Sequence, residues 1–277
     1  MKEDLENVFK KNIIQRIPSA LLLAGLFIAL LISQSSILIN GVISLIGILL
    51  VWEWYKNSSQ NHFLGVGILI SILLLIWFIP HILVLNIFLI GLFWAAILIR
   101  IKFLKPSSNS LFTFGNSWLG QFLIIGFISS AAFIFLDHNE FGINKFLLIF
   151  LMVFQTAMVD VFAYIIGSNF GKTPLVPDIS PNKTVEGFFG GLLAAALLSI
   201  VLSVIVSAPF KVIVILLLLL PFAFAGDLLE SLIKRSSNIK DSGSLFPGHG
   251  GLWDRLDSHI AVISVAPLIF ILYFNLL

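Results

Sequence analysis

The sequence predicts an all-α, polytopic membrane protein with about nine transmembrane helices and a cytoplasmic N-terminus. Three observations predict it. Hydrophobic residues make up 59% of the 277, and the mean hydropathy is +1.08. Charged residues make up only 11%, where a soluble domain carries about 25%, so a water-facing surface could not be covered. Finally, the chain divides into apolar runs close to the ~20 residues that a spanning helix needs.

The first run, 17–34, follows the basic residues Lys10, Lys11 and Arg16. That start resembles the n-region of a signal peptide. It reads as an uncleaved span, because many more follow and no small-residue cleavage pattern ends it. The next runs are 36–55, 62–79 and 81–100, the last two parted only by Pro80, which leaves eight or ten spans as alternatives. The polar stretch from Lys105 to Ser117, rich in Ser, Asn and Gly, reads as a flexible loop. Runs 117–136, 145–167, 187–207, 211–233 and 257–275 complete the set. Cytoplasmic loops retain Lys and Arg. With the N-terminus inside, 14 of the 16 basic residues are cytoplasmic and only Lys145 and Lys211 are outside. Loops 168–186 and 234–256 then share the cytoplasmic side. Residues 1–150 supply N-terminal spans and 151–277 the spans that carry the site, within one integral unit. No internal repeat is visible.

Composition also excludes function classes. No cysteine is present, so disulfide and thiol chemistry are absent. The net charge of +2 comes with no long basic run, which argues against nucleic acid as a partner. A homodimer is compatible with the sequence.

Acidic residues inside apolar spans are costly and usually functional. Four stand out: Glu53, Asp160, Asp227 and Glu230. Glu53, beside Trp52, Trp54 and Tyr55, reads best as part of an interfacial belt. Thr156, Asp160, Tyr164 and Gly167 share one helix face, either a polar seam between helices or part of a site. The loop Ser180-Pro181-Asn182-Lys183-Thr184-Val185-Glu186-Gly187 precedes an apolar run and could open a helix whose free N–H groups face an anion; an ordinary N-cap is the plainer reading. Gly171-Lys172 lies just before it. Asp227, Ser231 and Lys234 lie on one helix face, and Glu230 with Lys234 reads as an i,i+4 ion pair. Then follow Lys240-Asp241, His249-Gly250-Gly251 and Asp254-Arg255-Leu256-Asp257. Carboxylates with Lys, Arg and glycine loops suit a hard divalent cation and phosphate oxygens. Zinc fits poorly, since His249 and His259 are ten apart and no thiolate exists.

The run from Ser231-Leu-Ile-Lys234-Arg235 through Lys240-Asp241, Gly243 and Phe246-Pro247 to His249-Gly250-Gly251-Leu252-Trp253-Asp254-Arg255-Leu256-Asp257 resembles the hallmark of phosphatidate cytidylyltransferases, the CDP-diacylglycerol synthases. Asp160 to Gly191 resembles the family's second stretch, with Thr173-Pro174 in place of a common basic pair. The resemblance implies transfer of CMP from CTP to phosphatidic acid at a cytoplasm-facing site of the cell membrane. It implies Asp227 and Asp254 as ligands of Mg²⁺, and it admits a monovalent cation such as K⁺. Lys234, Arg255 and Asp257 would join those two acids in catalysis. Asp160, Lys172, Ser180, Lys183, Thr184, Glu186, Ser231, Lys240, Asp241, His249, Gly250 and Gly251 would surround the substrates. A CTP-dependent lipid kinase or an ether-lipid cytidylyltransferase is the alternative within lipid chemistry. A cation-coupled transporter is the alternative outside it.

Overall fold

The computed structural model describes residues 24–107, 111–136, 142–243 and 250–275. Helix α1 (residues 24–32) is the described part of the first expected span. After it come α2 (Ser36–Asn57), α3 (His62–Phe78), α4 (Pro80–Arg100), α5 (Ser117–Phe135) and α6 (Lys145–Phe170). The chain ends with α7 (Val185–Ile205), α8 (Phe210–Ser236) and α9 (Trp253–Asn275). Short polar residues between the apolar runs start the helices. Ser35, Asn61, Asn116, Asn144 and Thr184 each accept a hydrogen bond from an amide of the first turn that follows, a group the helix itself leaves unpaired. Pro80 opens α4, where its missing N–H costs nothing, so the boundary between the third and fourth runs lies where the sequence broke them.

Among the described residues, seven helices are long and apolar enough to cross a membrane. The helix α3, at 17 residues, sits at the lower limit of about 17 for a span. Helices α5, α8 and α9 form the centre, with 72%, 67% and 61% of their apolar windows buried, against 28% for α2 and 22% for α7. The peripheral helices turn Ile37, Trp77, Leu85, Leu193 and Val204 outward. In water such a face would aggregate; among lipid tails it matches its solvent.

Without a hydrophobic force between helices, small residues govern how closely they pack. A Cβ at Gly187 would stand 2.8 Å from the carbonyl oxygen of Ala163, and one at Gly191 would stand 2.9 Å from the Ala163 Cβ. That seam holds α7 against α6, and Ser199 donates across it to Gln155 at 3.3 Å. Thr156 returns its hydroxyl to Met152 of its own helix, and Tyr164 is exposed, so the polar face expected from Thr156 to Gly167 does not form one seam.

Two expectations are adjusted. The loop over 168–186 is shortened from both sides, and between α6 and α7 stands an antiparallel hairpin of β1 (Pro174–Val176) and β2 (Ser180–Thr184), pairing Pro174 with Thr184 and Val176 with Ser180. Buried Val176 and Ile179 anchor it. The last helix begins at Trp253 rather than at 257, so Asp254 and Asp257 both lie within helical turns.

Candidate active site

The site starts from the contact between α8 and α9. A Cβ at Gly226 would meet the backbone of Asp257 and Ser258, 2.9 Å from the Ser258 Cα, so glycine lets the two helices touch main chain to main chain. Its neighbour Asp227 and the next acid, Glu230, are i,i+3 on α8 and lie on one face. Asp257 of α9 meets them: one oxygen from each of the three carboxylates lies within 4.8 Å of the others. Glu230 is only 4% exposed, and among the described residues its Oε1 has no hydrogen-bond partner. From α6, Asp160 adjoins Asp227, Lys183 and Ser258.

Two lysines reach this cluster from different elements. The hairpin carries Lys183 on β2, where it forms an ion pair with Asp227. One turn above Glu230, Lys234 bridges Glu230 Oε2 at 2.6 Å and Asp254 Oδ1 at 2.7 Å. Five carboxylates therefore face two ammonium groups. At such separations and partial burial, like charges repel far more strongly than in bulk water. The surplus negative charge, the purely oxygen donor set and the orphaned Glu230 oxygen together suit a hard divalent cation such as Mg²⁺.

Asp254 occupies a different position. Its Oδ2 accepts from Gly251 N at 2.8 Å and Ser242 N at 2.9 Å, with Ser242 Oγ 3.0 Å away. Oδ1 is held by Lys234, which also bridges Glu230. The glycine turn beside it is shaped for this contact. Gly250 has φ +83°, a backbone conformation that side chains disfavour, and a Cβ there or at Gly251 would collide with the Asp254 or Ser242 side chain.

Asp160, Lys183, Asp227, Lys234, Asp254 and Asp257 are thus brought together. The remaining sequence-derived candidates are placed otherwise. Glu186 Oε2 accepts from Lys172 N at 3.0 Å and Thr173 N at 3.2 Å and so ties the base of the hairpin. Thr184 Oγ1 caps α7 through Gly187 N. Ser180 and Ser231 are half-buried, on β2 and α8. Lys172, Lys240, Asp241 and Arg255 are exposed. His249 lies outside the described residues.

Two residues were underrated. Glu230 reads from sequence as a surface ion pair; the pair exists, but it is buried inside the carboxylate cluster. Glu53 reads as an interfacial anchor, yet it is 7% exposed and accepts from Leu252 N at 2.8 Å, from Trp253 N at 3.2 Å and from Ser242 Oγ. The signal available in the sequence was its acidity in an apolar run; nothing nearby in the chain points to partners some 200 positions away.

The model of the cytidylyltransferase family matches residues 14–274. A phosphatidate cytidylyltransferase of Bacillus subtilis is 33% identical over 232 residues, covering 79% of this chain and 75% of the relative. The enzyme of the same name from Staphylococcus epidermidis is 39% identical over 150 residues, 53% of this chain and 56% of the relative. That of Staphylococcus saprophyticus is 42% identical over 133 residues, 47% of this chain and 50% of the relative.

Proposed function

The chain belongs to the cytidylyltransferase family, and on that premise we propose that it transfers CMP from CTP to phosphatidate at the carboxylates shared by α8 and α9. An oxygen of the lipid phosphate bonds to the α-phosphorus of CTP. The bond from that phosphorus to the β-bridging oxygen breaks, and the electron pair leaves with pyrophosphate. CDP-diacylglycerol remains in the membrane.

The lipid phosphate is already an anionic nucleophile, so no strong base is required. The obstacle is bringing two anions together, and it is solved by positioned positive charge. Asp227, Glu230 and Asp257 would hold Mg²⁺, and Asp254 would join them through Oδ1. A divalent cation held by these carboxylates would supply positive charge against the negative charge that builds up during phosphoryl transfer. Lys183 and Lys234 act as resident counter-ions of the carboxylates. With those carboxylates engaged by a divalent cation, both ammonium groups would be free to meet phosphate oxygens as compact point charges. Exposed Arg255 and Lys240 favour approach of a polyanion.

The basic asymmetry of 14 against 2 supports a site facing the cytoplasm of a cell membrane. CTP enters from water there, and phosphatidate enters sideways between helices. The observation that carries the reading is the convergence of Asp227, Glu230 and Asp257 on one side of the α8–α9 contact. The test is turnover of labelled CTP by purified protein with phosphatidic acid in detergent. CDP-diacylglycerol and pyrophosphate are expected in equal amounts, only with Mg²⁺ present. Nucleotide turnover without a cytidylylated lipid would overturn the reading.

A further inference from the structure

The end of α9 nearest the site lacks a cap of its own. The residue before Trp253 is Leu252, whose side chain cannot accept a hydrogen bond, yet the first amides of a helix need acceptors. The first amide of α9, at Trp253, and the two amides that lead into it are satisfied by carboxylates. Glu53, on α2, takes Leu252 N on Oε2 and Trp253 N on Oε1. Asp254 takes Gly251 N. Three successive amides are thus divided between two carboxylates.

The two carboxylates also share Ser242. Its hydroxyl lies against Glu53 Oε1 and against Asp254 Oδ2, and its amide donates to the same Asp254 oxygen at 2.9 Å. The surrounding face of α2 serves the same turn. Leu50 carbonyl oxygen accepts from Trp253 Nε1 at 3.0 Å, Trp54 packs against Trp253 at 5.0 Å between ring centroids, and Asn57 donates to the Ser242 carbonyl. Leu50, Glu53, Trp54 and Asn57 follow the i, i+3, i+4, i+7 spacing of one helix face. Gly243 and Gly251 have no room for a Cβ beside the Glu53 carboxyl. Among the described residues no lysine or arginine pairs with Glu53; its two oxygens rest on amides at the positive end of the α9 dipole.

We infer that Glu53 is a positioning residue of the transfer reaction: it fixes the Gly250–Trp253 turn and Ser242, and through them holds Asp254 with Oδ2 on the amides of that turn and Oδ1 on Lys234, the lysine that also bridges Glu230. The inference rests on the function proposed above. Glu53 itself touches no substrate. A glutamine at 53 keeps the size but replaces one acceptor oxygen with an NH₂ group, which would face an N–H or O–H donor.

The experiment compares wild type, Glu53→Gln, Ser242→Ala and the double variant in detergent. It measures kcat, the KM for CTP, the Mg²⁺ concentration giving half-maximal rate, and hydrogen exchange of the 250–254 amides without substrate. Glu53→Gln is expected to keep its elution volume, to exchange those amides at least tenfold faster, and to lose at least tenfold in kcat. Its half-maximal Mg²⁺ should rise severalfold, while the KM for CTP changes less than threefold. The double variant should be no worse than the poorer single, because both act through Asp254. Wild-type exchange, wild-type kcat or fully additive losses would each overturn the inference. If Glu53→Gln does not fold, Ser242→Ala, which removes only the shared hydroxyl, decides through the same exchange and Mg²⁺ readouts. Wild-type protein inactive toward phosphatidate, but with the predicted exchange behaviour, would sink the functional reading and leave the positioning intact.

Discussion

Two groups of carboxylates flank the first turns of α9, and they are treated oppositely. On the α2 side, Glu53 and Oδ2 of Asp254 are surrounded by the amides of Gly251, Leu252, Trp253 and Ser242 and by a hydroxyl. On the α8 side, Asp227, Glu230 and Asp257 face lysines and one another, and among the described residues one Glu230 oxygen has no partner. The lesson is that side-chain type does not separate structural from chemical acids; the donors around them do. A carboxylate saturated by backbone amides cannot be recruited without breaking the turn it holds. One balanced by a flexible ammonium group can exchange that partner for a metal ion at little structural cost. Asp254 belongs to both groups, one oxygen in each.

The comparison breaks most sharply at the α8 side. Asp227→Asn and Asp257→Asn should each lose at least about a hundredfold in CMP transfer, since metal clamps supply several kcal/mol to such reactions and about 1.4 kcal/mol is tenfold in rate. The melting temperature of Asp257→Asn should stay at or above wild type, because it removes a like charge from a crowded site, whereas Asp227→Asn also strands its partner Lys183 and should melt lower. The check is Mg²⁺-dependent turnover at matched folded concentration, alongside a melting curve; near-wild-type rates would mean that these acids are scaffolding.

Asp254→Asn should show both behaviours at smaller amplitude. With its oxygen kept toward Gly251 and Ser242, the NH₂ group faces Lys234, donor against donor. Transfer should fall at least tenfold, and stability should fall by about 1–3 kcal/mol, the usual cost of stranding a buried polar group. Activity lost with an unchanged melting curve would assign Asp254 wholly to the chemical group. The smallest expected effect is on topology. Cysteines placed at exposed Lys240 and Ser207 should react from opposite faces of the membrane with little change in transfer for Ser207→Cys. Labelling from one face would remove the orientation that puts both acidic groups on the basic side.

Much of the architecture was legible because apolar runs end in residues with a clear local role. Asn61, Asn116 and Asn144 cap, and Pro80 opens a helix, so boundaries there fall within a few residues of expectation. The start of α9 was misplaced because Trp253-Asp254-Arg255 reads as polar loop, whereas its acids satisfy and line the first turns. The meeting of α8 and α9 acids followed from both segments emerging on one side. Which of Asp254 and Asp257 faces Asp227 did not follow, because an i,i+3 pair shares a helix side and only the Gly226 contact sets the rotation. The hairpin was hidden because Pro174–Val176 and Ser180–Thr184 are too short to show a period of two. Glu53 was hidden by company: Trp and Tyr neighbours imitate a membrane-surface belt, and its true partners are remote.

That remoteness has a consequence for how the protein is made. Glu53 leaves the ribosome 199 residues ahead of Leu252, a delay of about 10–40 s at translation rates of roughly 5–20 residues per second. Throughout it, α2 must sit in the insertion machinery with an acid whose acceptor capacity is unfilled. Its location at the end of α2, within reach of water, makes the wait tolerable. The same acid near the middle of that helix would oppose insertion from the start. Assembly of the nascent chain therefore closes with the last helix docking on one of the first, and a ribosome that stops short of residue 253 releases helices with no finished site.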